Sequence, residues 1–358
     1  MKPIKVLVES FADDNLTNAQ MINAREIVSR LDPQRFHVTM FVLGSEVPKI
    51  GARPNTRLIK LPRRVQTVPI LRQFLFGSHD ILFYMKASPA GRWYLKLRPL
   101  QLRRSSLVAT VESQSDWRDE TIPAGARRLF EQTILRCEYL FSNSAMVQRS
   151  LQANYGLQSE IVRTGVDLEF FTPREHKPAD SRPQVLFIGS LRNFKGPQVV
   201  LEAAERFPEA DFVLVGDGVL REELQARSKS LPNVEMCGPL PRTEVRDRLS
   251  RADVFLFPSR WEGSPRVLLE AAASGVPAIA RKDYEPESVV DGVTGFLVAN
   301  DDEIMSSLAR LLGDSELRRS MGKAARSHIA SFSWDLITRQ WEQVFTRLAA
   351  AQRTRGRR

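Results

Sequence analysis

The sequence predicts an α/β protein made of two Rossmann-like domains that face each other across a cleft. Three observations carry this. Short apolar runs rich in β-branched and aromatic residues alternate with helix-period segments in both halves, the pattern of parallel sheets covered by helices. The chain has 358 residues, more than one ordinary core holds and enough for two. A polar, proline-rich, unpatterned stretch at 172–183 (TPREHKPADSRP) separates the halves and reads as a linker. The expected domains are therefore 1–171 and 184–333.

In the first half, strands are expected at 4–9, 36–43, 80–85, 107–111, 139–142 and 160–163. A helix over 19–31 has Met21, Ile22, Ile27, Val28 and Leu31 at helical spacing, and others are expected near 125–136 and, capped by Ser144, over 144–155. The segment after 85 reads as helical or irregular and basic. The second half repeats the alternation. Strands 185–188, 212–215 and 234–237 are followed by helices 198–207, 220–229 and 242–251, and strands 278–280 and 296–298 come later. Helices near 303–312, 315–332 and 334–349 follow, and the basic tail 353–358 reads as frayed.

One stretch organises the second half: 253–277, DVFLFPSRWEGSPRVLLEAAASGVP. Its start is a buried strand that Pro258 ends; a tight loop leads to Ser264 as N-cap and Pro265 as first helical residue, and Gly275 ends the helix. Open α/β sheets bind ligands at the carboxyl ends of strands, where this loop lies, and free helix amides suit a phosphate. Glu262 lies in the loop and Glu270 on the helix. A carboxylate on the helix accepts from two ribose hydroxyls, and one in the loop reaches a sugar beyond the phosphates; by residue type alone both acids fit a solvated helix face equally. FIGSLRNFKGP at 187–197 is a second strand end, loop and helix start, with Arg192 and Lys195 in the loop. Two cations beside free amides form a diphosphate site or a solvated basic loop; Gly189 and Ser190 allow close backbone approach. Gly216 opens a turn after another strand, and Leu240 follows Gly238-Pro239.

Taken together, PSRWEGSPRVLLEAAASGVPAIA closely resembles the donor-site signature of retaining family 4 glycosyltransferases of the GT-B fold, the "glycosyl transferases group 1" type. Glu262 and Glu270, separated by seven residues with Gly263 after the first, match that signature. The resemblance implies that Glu262 contacts the transferred sugar and Glu270 the nucleotide ribose. It further implies that Arg192 and Lys195 bind phosphate, and that backbone near Leu240 cradles the base. Donor contacts from Gly189, Ser190, Gly216, Gly263, Ser264, Pro265 and Arg266 complete the expected set. It also implies a last helix that returns to the N-terminal domain, with TGVDLEFFTP at 164–173 as the approach to the linker, Thr164 standing where the family usually has Asn. The implied activity is transfer, with retention and without metal, from a nucleotide diphosphate sugar to a hydroxyl acceptor: a glycan, a lipid-linked species or a small molecule. UDP is the default base, GDP and ADP the alternatives, and no other cofactor is expected. In this mechanism a departing phosphate oxygen takes the acceptor proton on the same face. Alternative functions are a sugar-nucleotide epimerase of the same fold and a non-catalytic sugar-nucleotide binder.

The resemblance is dense over 185–334 and thin before it. ADDNLTNAQ replaces the Gly-Gly pair family members often carry after the first strand, and TVESQSDWRDE lacks the histidine many have after the strand at 107–111. Asn15, Asn18, Glu112, Gln114 and Trp117 (with Asp116) are the acceptor-side candidates, or ordinary loop polar residues.

Charge is uneven. Net charge is +10, and residues 49–104 hold 13 basic residues and one acid, interleaved with Phe74, Phe76, Trp93 and Tyr94. This block suits phosphates or an anionic membrane surface, or it is a solubilising face. Nucleic acid is not expected, because no recognition motif accompanies the charge. Cys137 and Cys237 lack metal-ligand spacing and read as buried, reduced thiols; the four histidines are scattered, so no metal site is expected. Neither a three-glycine dinucleotide fingerprint after the first strand nor a Gly-Lys-Ser/Thr phosphate loop is present, which excludes the corresponding dehydrogenase and kinase readings. The start of the sequence reads as a strand rather than a leader, and no apolar run is long enough to span a bilayer. The expected location is cytoplasmic, with docking on the inner face of the plasma membrane as the extension of the basic block.

Overall fold

The computed structural model describes residues 2–13, 18–101, 104–113, 122–173 and 182–355. Asn15, Gln114, Asp116, Trp117 and most of the expected linker lie outside the described residues. The chain divides into two compact units, Met1–Thr164 with Trp334–Arg358, and Gly165–Ser333.

In the first unit the described strands are β1 (Ile4–Phe11), β2 (Phe36–Val42), β3 (Thr56–Lys60), β4 (Ile81–Phe83), β5 (Ser106–Val111), β6 (Tyr139–Ser142) and β7 (Glu160–Ile161). They pair in the order β3-β2-β1-β4-β5-β6-β7, every neighbour parallel. A parallel sheet is covered on both faces, so its strands are apolar throughout rather than alternating: Val6, Leu7, Val8, Ile81, Leu82 and Phe83 are all fully buried. The helix Trp334–Arg355 belongs to this unit. Its Trp341 ring lies 4.7 Å from Phe83 and 4.9 Å from Phe141, and Phe345 lies 4.9 Å from Phe83. This aromatic cluster covers one face, while helices Thr67–Phe76, Pro89–Leu97 and Ala124–Thr133 contribute to the core on the other.

The second unit holds β8 (Gln184–Ile188), β9 (Asp211–Val215), β10 (Val234–Gly238), β11 (Val254–Phe257), β12 (Ala278–Arg281) and β13 (Gly295–Val298). Its order is β10-β9-β8-β11-β12-β13, again with parallel neighbours. In each sheet the strand order reverses beside the first strand of the unit, at β1/β4 and at β8/β11. Those are the topological switch points at which open α/β sheets leave a crevice at the strands' carboxyl ends.

Several expectations need correction. The division between units falls after Thr164, not after 171, because Phe171 is buried in the second core and Arg326 donates to the carbonyls of Leu168 and Phe171. The helix after β11 runs Arg266–Ala273, one residue later than expected. Pro265 keeps an extended backbone (φ −68°, ψ 117°) as N-cap, so Ser264 does not cap it. Cys237 is half-buried, and only Cys137 is fully buried. The last helix continues to Arg355, past the expected stop at 349 and into the tail read as frayed. Within the basic block, strand β3 and the helix Thr67–Phe76 were not expected, and the stretch after 85, read as helical or irregular, forms the helix Pro89–Leu97. Among the described residues, no helix is long and apolar enough to cross a membrane.

Candidate active site

The β8/β11 switch point brings the two signature loops together. After β8, Gly189–Leu191 leads into a short 3-10 turn, Asn193–Lys195, and then the helix Pro197–Arg206. The joint is Gly196, with φ of 68°, where an added Cβ would sit 3.0 Å from the Pro258 carbonyl oxygen. Glycine is required there by conformation and by space together. The loop after β9 approaches still more closely: a Cβ on Gly216, whose φ is 144°, would lie 1.9 Å from the Gly189 carbonyl oxygen. Backbone bonds from Gly189 N to Val215 O (3.0 Å) and from Leu191 N to Asp217 O (2.9 Å) lock the two loops.

Across the crevice, the loop after β11 carries Glu262. Its Oε1 pairs with Lys195 Nζ and accepts from Ser259 Oγ at 2.7 Å. The Lys195 and Glu262 side chains are 16% and 12% exposed, so the pair is largely withdrawn from water. Lys195 also lies 5.3 Å above the rings of Phe194 and Phe257. Phe194 stacks on Trp261 with centroids 5.1 Å apart, and Arg260 N donates to Phe194 O at 2.8 Å, so the two loops are fastened by packing and by hydrogen bonds. Beneath them, Tyr284 is fully buried and its hydroxyl has no hydrogen-bond partner among the described residues. Burial, then the Glu262 and Asp283 carboxylates, hold that phenol well above its ordinary range.

On the helix, Arg266 Nη2 pairs with Glu270 Oε1 at 3.1 Å, one turn apart, with both side chains about nine-tenths buried. Buried carboxylates paired in this way are held in one rotamer and offer a fixed second oxygen. Arg192 is exposed at the mouth of its loop, while Gly189, Ser190 and Leu240 are half-buried, and Gly263 and Pro265 are buried beside Glu262. The sequence-selected donor-side residues thus lie on the loops and helix at one strand crevice of one unit. Sequence reasoning passed over Ser259, Phe194, Trp261 and Tyr284. The first three stand inside the quoted motifs, Ser259 three residues before Glu262; Tyr284 stands outside them.

The acceptor-side candidates separate. Asn18 caps the helix Ala19–Arg30, its side chain accepting from Met21 N at 2.8 Å. Glu112 is the centre of a buried polar cluster at the ends of β4 and β5. It accepts from Tyr84, from Thr110 Oγ1 at 3.2 Å and from Asn23 Nδ2 at 3.0 Å. Tyr84 has a left-handed φ of 62°, a strained conformation for a bulky residue. At the β1/β4 switch point, Glu9 accepts from Ser88 Oγ at 2.6 Å and Lys86 N at 2.7 Å. Burial pushes Glu9 up to about 7, against the lowering effect of those bonds, and burial likewise raises Glu112 and lowers Lys86. Glu9, Lys86 and Tyr84 were not singled out from sequence, because a carboxylate inside an apolar strand run reads as a strand end. Among the described residues, no group of three or more His, Cys, Asp or Glu stands where it could hold a metal ion.

Comparison with known proteins bears on this geometry. Residues 169–328 match the family model "Glycosyl transferases group 1". The chain is 31% identical to the D-inositol 3-phosphate glycosyltransferase of Kribbella flavida over 340 residues, covering 82% of this chain and 79% of that protein. It is also 31% identical to the enzyme of that name from Corynebacterium diphtheriae over 268 residues, 66% of this chain and 63% of that protein. Among solved structures, sucrose-phosphate synthase from Thermosynechococcus elongatus superposes with a TM-score of 0.77 at 21% identity, covering 98% of this chain and all of that one. Anabaena Alr3699/HepE in complex with UDP-glucose gives a TM-score of 0.76 at 15% identity, covering 96% and 99%. These likenesses establish the GT-B fold, two Rossmann-like units with parallel sheets. The family model spans the segment that carries both signature loops, and a relative is matched over most of its length: the chain belongs to the glycosyl transferases group 1 family.

Proposed function

We propose that the chain transfers a sugar from a nucleotide diphosphate sugar, UDP by default, to a hydroxyl acceptor with retention and without metal. The observation that carries this is the convergence of Lys195, Glu262 and the Arg266–Glu270 pair on the β8/β11 crevice. Arg192, Lys195 and the amides at the start of the helix Arg266–Ala273 would take the charge that grows on the departing diphosphate. Each charge-assisted contact is worth roughly 1.5–3 kcal/mol. Glu270 would hold the ribose diol. Glu262 pairs with Lys195, so a diphosphate would compete for the ammonium and leave the carboxylate to a sugar hydroxyl. Gly189, Ser190, Gly216, Leu240, Gly263, Ser264 and Pro265 would give the donor close backbone approach. Glu112 and Asn18 are the acceptor-side candidates among the described residues.

Relatives support the reading by what they are: the curated ones act as D-inositol 3-phosphate glycosyltransferases, and Alr3699/HepE was solved with UDP-glucose. For the acceptor, the proposal adds docking on an anionic membrane through residues 49–104, where Val65, Val68, Phe76, Trp93 and Leu100 are exposed among the cations. The test is NMR analysis of the reaction with a panel of α-linked UDP-, GDP- and ADP-sugars, with and without chelator. Chelator-insensitive release or transfer of sugar as its α-anomer supports the proposal. A β-anomer or chelator-sensitive turnover contradicts it, and an epimerised free sugar or donor binding without turnover would favour the two alternatives.

A further inference from the structure

We infer that the first unit carries a second anion site, a groove for a phosphate monoester at the amino ends of β1–β3. Parallel register builds it. Lys5 pairs with His37 across β1 and β2, and Thr39 pairs with Arg57 across β2 and β3. Since side chains alternate along a strand, Lys5, His37, Thr39 and Arg57 all project from one face. The end of the helix Thr67–Phe76 and the turn after it close the other side with Arg72, Phe76 and His79. The groove has a volume of about 670 Å³, within the range of small-molecule sites.

Two observations point to a ligand. Lys5, Arg57 and Arg72 are exposed cations that line one groove, and among the described residues no carboxylate pairs with them. His79 lines the same groove at only 8% exposure, yet its Nε2 has no hydrogen-bond partner among the described residues. Its ring lies so close to the chain that a Cβ on Gly77 would fall 2.3 Å from Nε2. A buried polar atom without a partner costs free energy, which a turn of the ring toward a bound oxygen would relieve.

Charge sets the ligand class. Against the three cations stands Asp80, which accepts from Lys5 N at 2.8 Å. The carboxyl end of the helix adds a partial negative charge of about half a unit, partly met where Gln101 Nε2 donates to Leu75 O at 2.8 Å. The remaining charge, about +1.5 to +2, matches a phosphate monoester, which carries about −1.5 to −2 at neutral pH. His79, held down to about 4 by burial and then by Lys5 and Arg57, would gain a proton more readily with a phosphate alongside. Phosphate monoesters come from soluble metabolites and from phosphatidic acid headgroups, and exposed Phe76 (78%) at the rim is compatible with either.

The experiment uses the full chain with its four histidines isotope-labelled, in the presence of saturating UDP so that the proposed donor site is filled. The His79 resonance is assigned from His79→Gln. Glycerol 3-phosphate is expected to move that resonance and to raise its midpoint by about one pH unit or more. Arg57→Ala/Arg72→Ala is expected to weaken this binding at least about tenfold, with both residues exposed and the fold retained. If soluble glycerol 3-phosphate is inert but phosphatidic acid vesicles, and not phosphatidylcholine vesicles, shift His79 and bind the protein, the site is for the lipid headgroup. The inference is overturned if neither source moves His79, if chloride at matched ionic strength moves it equally, or if the double variant responds as the wild type does.

Discussion

Breaking the Lys195–Glu262 pair is the perturbation that bears most directly on how the crevice is built. The two side chains are 16% and 12% exposed, and Ser259 Oγ is a further partner of Glu262 at 2.7 Å. For unit charges about 3 Å apart at an effective dielectric near 20, attraction is about 5 kcal/mol. Desolvation offsets most of that, whereas removing one partner strands the other, at about 3 kcal/mol. We expect Lys195→Met and Glu262→Gln each to destabilise the second unit by about 2–3 kcal/mol. The double variant should cost little more than either, a coupling of about 2 kcal/mol. Urea unfolding of the four proteins, followed by tryptophan fluorescence and circular dichroism, measures this. Additive costs within about 0.5 kcal/mol would refute the reasoning, since independent sites behave that way. Ligand affinity then separates the two roles. Lys195→Met should weaken nucleoside diphosphate binding at least about tenfold; Glu262→Gln should bind it no more weakly than the wild type, because the ammonium is released, while transfer falls.

Other expectations follow from the same geometry. Arg192→Ala and Glu270→Ala should each lower transfer by at least about tenfold, or about 1.4 kcal/mol, in steady-state assays. Gly216→Ala puts a Cβ 1.9 Å from a carbonyl oxygen at a φ of 144°; we expect a loss of about 2–5 kcal/mol in urea unfolding, and an unchanged midpoint would contradict the loop packing. Glu9, buried and raised from 4.5 to about 7, takes up its folded-state proton more readily than the unfolded chain does. Glu9's contribution to stability should therefore be full below pH 4.5 and be lost as pH rises to about 7, and Glu9→Gln should remove up to one proton's worth of slope, about 1.4 kcal/mol per pH unit, over that range. Sedimentation with acidic vesicles, weakened by salt and absent with neutral lipid, is expected if residues 49–104 dock on a membrane; equal, salt-insensitive binding to both would count against it.

Much of this protein was legible in its sequence, and unevenly so. In the second unit β8, β9 and β11 carry apolar runs followed directly by Gly or Pro, and the loops after β8 and β11 carry their chemistry within a few residues of each strand end. Local pattern therefore located both Lys195 and Glu262. Their pairing was not legible, because 67 residues separate them and only sheet order brings β8 beside β11. In the first unit, β3 (TRLIK) has only Leu58 and Ile59 as apolar residues, between Arg57 and Lys60 at a sheet edge, and the helix Thr67–Phe76 carries a proline at its third position, so neither stood out from the basic block. The polar cluster around Glu112 and Glu9 depends on three strand ends far apart in sequence. The cap by Asn18 was available locally, yet a capping asparagine and a ligand-binding one have the same composition.

A thermal-shift series with UDP, GDP and ADP on wild type and Glu270→Ala tests the central claim most directly. At about 100 times its dissociation constant, a ligand of the folded protein adds about 2.7 kcal/mol, a readily visible shift. The account predicts stabilisation by at least one of the three diphosphates and its loss in Glu270→Ala. No stabilisation of the wild type by any of them, or an equal shift in the variant, would contradict a donor site at the β8/β11 crevice.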